Sequence, residues 1–128
     1  MLEAKYKIEV YSFAYNKIIG NVRKIDIRPY KKYLHDIKIG DVIEYVNIEN
    51  KESVYREVKG IALFNSFDTM INMLPSQLIG YDNIKEVKLR VKRMYTKQDE
   101  EEYGVVAIFI DEPKKHRVLN FRALDRAV

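Results

Sequence analysis

Residues 22–28 largely alternate between apolar and charged side chains, which is the two-residue period of a β-strand with one face against a core. The polar face of this strand would carry an acidic side chain between two basic ones, in the order Lys24, Asp26 and Arg28. The opposite face would be mainly apolar, with Ile25 and Ile27. A solvated strand does not need an ordered row of charges, so we interpret the polar face as the floor of a binding site.

A second strand follows a glycine turn. Residues 37–41 (IKIGD) end in Gly40 and Asp41, and the apolar-rich residues 42–46 that follow have the composition of a strand. A glycine beside an aspartate is typical of a turn into the next strand. The most hydrophobic run of the chain, residues 103–110 (YGVVAIFI), predicts a buried central strand.

Three further segments have the side-chain spacing of short helices. Residues 13–19 end at a glycine and an asparagine, which both tolerate the left-handed conformation of a helix C-cap. Ser66 and Asn83 stand directly before the other two segments, where a side-chain oxygen caps the first helical turn. We predict loops at three connections, residues 30–36, 75–82 and 97–102. Strands with short helices between them indicate an α+β fold, in which a curved mixed sheet closes as a small β-barrel with flanking short helices.

The length and charge of the chain limit its class and its partners. Its 128 residues suit one domain, and its net charge of +4 with a pI near 9.1 is compatible with a polyanionic partner such as RNA. No apolar run approaches the roughly 20 residues that span a bilayer, so we expect no membrane partner. The chain has no cysteine, which excludes disulfides, thiolate zinc sites and thiol catalysis and is typical of a cytoplasmic protein.

The sequence shows no pattern for a metal ion or a cofactor. The two histidines, His35 and His116, lie far apart and have no cysteine to join them as ligands. No glycine-rich phosphate loop, Ser/His/Asp set or dinucleotide fingerprint is present. We therefore predict neither a bound metal nor a cofactor.

Two further groups of residues each admit two interpretations. Lys85, Lys88 and Lys92 share one flank of the predicted helix at residues 84–95, either as a solvated face or as a track for phosphates. The ten tyrosines are many for this length. We interpret most of them as amphipathic wall residues and one or two as stacking platforms for exposed bases.

Three elements in a fixed order together resemble the ASCH (activating signal cointegrator homology) domain, a branch of the PUA-like β-barrels. Residues 21–28 (NVRKIDIR) are similar to the family pattern Gly-Lys-Lys-Thr-Ile-Glu-Val-Arg, and residues 38–41 (KIGD) are similar to Lys-Val-Gly-Asp. Ser66 and Phe67 open a helix as in the family, and the last helix and strand correspond to residues 94–95 and 103–110. The resemblance extends over residues 5–111.

The resemblance implies a PUA-like β-barrel over residues 1–112, with a positively lined cleft that binds RNA, other nucleic acid or modified nucleosides. It identifies six candidate ligand-binding residues, which are Arg23, Lys24, Asp26, Arg28, Ser66 and Tyr95. Asp26 would orient the basic groups or accept a hydrogen bond from a base amine, and Ser66 and Tyr95 would line the wall. The motif places the family's lysine on Arg23, whereas a shift of one residue places it on Lys24, so either could face the cleft.

Some bacterial relatives of this family hydrolyse the acyl group of an acetylated cytidine with a threonine nucleophile, a lysine and a glutamate. Here Asp26 occupies the position of the threonine, and the counterpart of the glutamate falls near Gly80, where there is no acid. We therefore expect a binding module without catalytic residues. The alternative is a hydrolase acting on a modified nucleoside (amidohydrolase-like), or a ribonuclease, with Asp26 as base or nucleophile.

Residues 113–128 lie outside the resemblance and form a basic C-terminal extension. They could add an edge strand, form a helix against the barrel, or stay loose until a partner arrives. A protein partner that docks on this extension is the third functional alternative.

Overall fold

The computed structural model describes residues 3–113 of the chain. Its strands are β1 (Tyr6–Val10), β2 (Ile25–Pro29), β3 (Val42–Asn47), β4 (Ser53–Phe64) and β5 (Val105–Asp111). Its α-helices are α1 (Ser12–Ile19), α2 (Phe67–Met73), α3 (Ser76–Ile79), α4 (Ile84–Met94) and α5 (Lys97–Tyr103). The predicted C-terminal extension lies outside the described residues, apart from Pro113.

The five strands form one mixed sheet in the order β1-β3-β4-β5-β2. β1 and β3 are parallel, and the other three neighbouring pairs are antiparallel. The sheet curls into a half-barrel, which confirms the predicted α+β, barrel-like fold with short flanking helices. In the described part of the chain the edge strands β1 and β2 do not pair with each other, so the half-barrel is open between them.

A β-bulge bends the sheet at its long strand β4. The register between β4 and β5 shifts between Val58 and Gly60. A Cβ added at Gly60 would lie 3.4 Å from the ring of Phe109, so a glycine lets the two strands approach closely here. Bulges of this kind increase the local twist, which helps the sheet to curl.

Strand β5 is buried on both faces, as its continuous apolar run predicts. Val106, Ile108 and Ile110 belong to the core inside the curl, together with buried residues of β1, α1 and β3. Val105 and Ala107 belong to a second core, which α2, α3 and α4 cover from the outer face. Two cores on one strand explain why its sequence shows no polar alternation.

Two helix starts agree with the predicted caps. The Ser66 Oγ accepts a hydrogen bond from the Thr69 amide (3.1 Å), and the Asn83 Oδ1 accepts one from the Glu86 amide (2.9 Å).

Among residues 3–113, no helix is both long enough and apolar enough to cross a membrane.

The three connections predicted as loops all contain helical turns. Residues 97–102 belong to α5. The Thr96 Oγ1 caps the Asp99 amide at 3.1 Å, and acidic side chains in the first turn interact favourably with the helix dipole. Residues 76–79 form α3, and residues 32–34 form a 3₁₀ turn. Each short helix buries an apolar side chain, Ile79 in α3 and Leu34 in the 3₁₀ turn. The prediction of loops there was wrong because short helices depend on such tertiary contacts more than on local pattern.

Candidate ligand-binding cavity

A cavity of about 300 Å³ lies at the gap between the edge strands β1 and β2, and helices α1 and α4 also line it. Its polar lining consists of three arginines and two acids, which are Arg23, Arg28, Arg90, Glu9 and Asp26. Its aromatic lining consists of Tyr11, Phe13, Tyr81 and Tyr95. We call it the Asp26 cavity.

The floor of the Asp26 cavity is a hydrogen-bonded group of three side chains. The Asp26 carboxylate is only 4% exposed, and its Oδ2 accepts hydrogen bonds from the Arg28 Nε (2.9 Å) and from the Tyr45 hydroxyl (2.7 Å). Asp26 and Arg28 lie two residues apart on one strand and therefore share a face. The Asp26 Oδ1 and the terminal nitrogens of Arg28 have no hydrogen-bond partner among residues 3–113. An acceptor and adjacent donors are thus left for a ligand.

Burial and neighbouring charges set the protonation states of Arg28 and Tyr45 on this floor. Burial lowers the pKa of Arg28, but the charge and hydrogen bond of Asp26 together with Tyr95 and Tyr45 raise it by more in sum, so the pKa lies above its ordinary value and the guanidinium stays charged. Burial and the charge of Asp26 raise the pKa of Tyr45 well above its ordinary value. Tyr45 is therefore a neutral hydroxyl donor at ordinary pH. The floor presents a desolvated cation and anion in a fixed geometry.

Arg23 lines the same cavity and is held by the short helix α3 and by Tyr81, two residues after that helix ends. Its Nε donates to the Ile79 carbonyl (2.8 Å), and its Nη2 donates to the Tyr81 hydroxyl (3.3 Å). Its guanidinium carbon lies 5.8 Å from the centroid of the Tyr81 ring. The helical turn at residues 76–79 therefore positions a cationic side chain of the cavity.

Lys24 lies apart from these residues. Its Nζ forms an ion pair with the Asp111 Oδ1 (2.8 Å), and this hydrogen bond lowers the pKa of Asp111. Lys24 is not among the described residues that line the Asp26 cavity. Strand β2 begins only at Ile25, so the row of charges predicted from the alternation does not continue to Lys24. Of the two candidates for the cationic position, the structure places Arg23 at the cavity.

Ser66 and Tyr95, the two predicted wall residues, occupy different positions. Tyr95 lines the Asp26 cavity, and its ring stacks on Phe67 with centroids 5.3 Å apart and planes inclined by 9°. Ser66 caps α2 and lines a second cavity of about 360 Å³, beside α2, α4 and α5. Tyr95 lines this second cavity as well, so it forms a wall common to both.

The sequence analysis did not single out Arg90, which lines the Asp26 cavity from α4. The Arg90 guanidinium carbon lies 4.2 Å from the centroid of the Phe13 ring. Phe13 is 47% exposed and lines the Asp26 cavity. Arg90 follows the buried Val87 by three residues, and this i,i+3 spacing is the one local signal that puts both on the same helix face.

Tyr45 was the other residue that the sequence did not single out for the floor. In the sheet order, three strand-to-strand steps of about 4.8 Å separate β3 from β2, which is about 14 Å in a flat sheet. The hydroxyl of Tyr45 nevertheless reaches Asp26, because the curl brings β3 close to the edge strand β2. No cluster of three or more histidine, cysteine or acidic side chains that could hold a metal occurs within residues 3–113.

Comparison with known proteins gives structural relatives only. No family model and no curated protein matches the chain. The hypothetical protein PH0355 is similar over 85% of this chain and 98% of its own, with 29% identity and a TM-score of 0.72. Protein PF0455 from Pyrococcus furiosus is similar over 87% of this chain and 98% of its own, with 28% identity and a TM-score of 0.63.

An ASCH domain from Lactobacillus crispatus is similar over 84% of this chain and 80% of its own, with a TM-score of 0.57. Its sequence identity to this chain is only 8%, so this likeness concerns the course of the backbone and carries no residue roles. It agrees with the ordered motifs at residues 21–28, 38–41 and 103–110, which point independently to the same family. The chain therefore has the fold of the ASCH domain, as its sequence motifs predict.

Proposed function

We propose that this chain is a binding module for RNA or a nucleotide-like ligand, and that one nucleobase enters the Asp26 cavity. The observation that carries the proposal is the free acceptor on Asp26 beside the free donors on Arg28, at the floor of a concave site. Every nucleobase carries a hydrogen-bond donor beside an acceptor on its Watson–Crick edge, which is the complementary pattern. This pattern supports a base as the ligand, and it is common to all four bases.

The walls of the cavity support the same ligand. Tyr81 and Tyr95 line these walls, and stacking of a base on an aromatic ring contributes about 1–3 kcal/mol. The volume of about 300 Å³ is at the lower end of the range of small-ligand sites, roughly 300–1,000 Å³, so the cavity suits one compact group.

Arginines at the cavity supply the positive charge that a phosphate requires. Arg23 is held by α3, whereas the guanidinium of Arg90 has no ion-pair partner among residues 3–113 and lies over Phe13. Arginine stacks on aromatic rings and binds phosphate with a planar set of donors. Arg90 would therefore contact the ligand at its sugar or phosphate, with the base further inside.

The hydrolase alternative receives less support from this lining. The described residues around the Asp26 cavity include no serine, threonine, lysine or histidine, so the family's set of threonine, lysine and glutamate is not assembled there. The Asp26 Oδ2 already accepts two hydrogen bonds, which hold the carboxylate in place. Release of acetate from acetylated cytidine, or cleavage of RNA, that disappears in Asp26→Asn would favour the enzyme instead.

The direct test is binding of a labelled, mixed-sequence single-stranded RNA at low salt, measured by fluorescence anisotropy. Arg90→Ala is expected to weaken binding about fivefold. It should also reduce the slope of log K against log[salt] by about 0.7, the value for one phosphate contact on a single strand. Arg93→Ala removes the same charge from the same helix at an exposed position outside the cavity, and it is the matched control. Absence of binding to any RNA at low salt would overturn the proposal.

The remaining expectations extend this proposal. We propose residues 1–112 as the folded binding domain and residues 113–128 as a basic extension available to a protein partner. Removal of residues 114–128 should leave the affinity for RNA unchanged if the extension serves a protein partner alone.

A further inference from the structure

The second cavity has a chemistry that the Asp26 cavity lacks. Three lysines line it, Lys88 and Lys92 from α4 and Lys97 from α5. We call it the lysine cavity. Of the three lysines predicted to share one flank of this helix, Lys88 and Lys92 line the cavity and Lys85 does not.

The positive charge of the lysine cavity is only partly neutralised. Its two acids are Asp68 and Glu100. Asp68 lies 3.8 Å from Lys88, at the long end of an ion pair, and Glu100 accepts a hydrogen bond from the Phe67 amide. Lys92 and Lys97 have no ion-pair partner within residues 3–113. Two ammonium groups without an ion-pair partner among the described residues thus lie beside a concave surface, where they are available to bind an anion.

The two cavities are neighbours, because Val91 and Tyr95 line both of them. Tyr95 is fixed in this position by its stacking on Phe67. A ligand that places a base on one side of Tyr95 can therefore place the next part of its backbone on the other side. A free nucleoside would leave the lysine cavity empty, whereas a polynucleotide carries a phosphate at every step.

We infer that the lysine cavity binds a backbone phosphate adjoining the nucleotide whose base occupies the Asp26 cavity, so that the ligand is a single-stranded polynucleotide. This inference rests on the proposed function and specifies its ligand class. The Asp26 cavity recognises one base, and Lys92 and Lys97 hold the strand next to it.

The test compares two double variants with the wild type. Lys92→Ala/Lys97→Ala removes the two unpaired lysines of the cavity, and Lys85→Ala/Arg93→Ala removes the same charge at positions outside both cavities. The probes are a labelled mixed-sequence RNA hexamer and the four free nucleosides, and each variant's melting temperature is measured to verify that it folds. The Lys92→Ala/Lys97→Ala variant is expected to bind the hexamer about tenfold more weakly and to bind nucleosides like the wild type. The slope of log K against log[salt] for the hexamer should fall by about 0.7, the value for the one phosphate contact that is lost.

The possible outcomes distinguish a failure of the phosphate site from a failure of the proposed function. A hexamer affinity that falls equally in both double variants, or in neither, would overturn the phosphate site and leave the proposed function intact. A wild type that binds neither the hexamer nor any nucleoside would overturn the proposed function and the phosphate site together. A wild type that binds nucleosides as tightly as the hexamer would also overturn the inference, because the phosphates would then add nothing.

Discussion

The hydroxyl of Tyr45 lies 2.7 Å from the Asp26 Oδ2, although strands β4 and β5 lie between their two strands in the sheet order. This hydrogen bond joins β3 to the edge strand β2 across the curled sheet, beneath the Asp26 cavity. It also places a neutral donor on a buried carboxylate oxygen to which Arg28 donates as well. The stability of the fold and the geometry of the cavity floor are therefore linked.

Tyr45→Phe should destabilise the protein by about 1.5–3 kcal/mol, the range for a hydrogen bond to a charged group. The variant keeps the ring in the core and removes only the donor to Asp26. Urea unfolding followed by circular dichroism measures the change. Tyr55→Phe is the control, since the Tyr55 ring is 36% exposed and its hydroxyl has no hydrogen-bond partner among residues 3–113. Equal stability of the two variants would show that the Tyr45 hydroxyl contributes nothing.

The same hydroxyl predicts a loss of stability at alkaline pH. Burial raises the pKa of Tyr45 above its ordinary value of 10.0, so the folded state holds this proton more tightly than the unfolded state. The stability that the Tyr45 hydroxyl contributes is fully present below pH 10 and is lost as the pH rises above 10. Each protein's stability at pH 11 is compared with its own value at pH 8, and the wild type should lose more than Tyr45→Phe does. A loss of the same size in both proteins would contradict the raised pKa.

Arg28→Ala should destabilise the protein by about 3–5 kcal/mol, because it leaves the Asp26 carboxylate buried without its cation. The double variant Asp26→Asn/Arg28→Ala removes both charges, and it should lose much less stability than the two single variants lose in sum. Chemical denaturation of the four proteins completes the cycle. Strict additivity of the two single effects would show that the pair does not couple.

Arg23→Ala and Lys24→Ala should separate the two candidates for the cationic position. Arg23 lines the cavity, so its loss should weaken RNA binding about fivefold with a smaller salt dependence, whereas Lys24→Ala should leave binding nearly unchanged. Anisotropy titrations measure both variants. Their melting temperatures are recorded beside the affinities, because Arg23 also bonds the Ile79 carbonyl. A larger effect from Lys24→Ala would reverse the assignment of the face.

Lys24→Ala also tests the value of its ion pair with Asp111. The two side chains are 31% and 48% exposed, so the pair is well screened and should contribute only about 0–1 kcal/mol.

Local signals predicted much of the fold. The caps at Ser66 and Asn83 and the apolar run of β5 each depend on neighbours a few residues away, and each prediction was confirmed. Asp26 and Arg28 were also placed on one face correctly, since a strand repeats every two residues. In each of these features the residues that interact are close together in the sequence, so the sequence pattern is enough to predict the contact.

The sequence alone determined three of the five strands of the described residues, the capped helices, the family resemblance and the pairing of Asp26 with an arginine two residues away. Only the tertiary structure decided that Arg23 lies at the cavity and Lys24 does not, that Tyr45 completes the floor, and that Arg90 covers Phe13. The physical reason is that these contacts join residues far apart in the chain. They depend on how far the sheet curls and on how closely helices α3 and α4 pack, which no local pattern encodes.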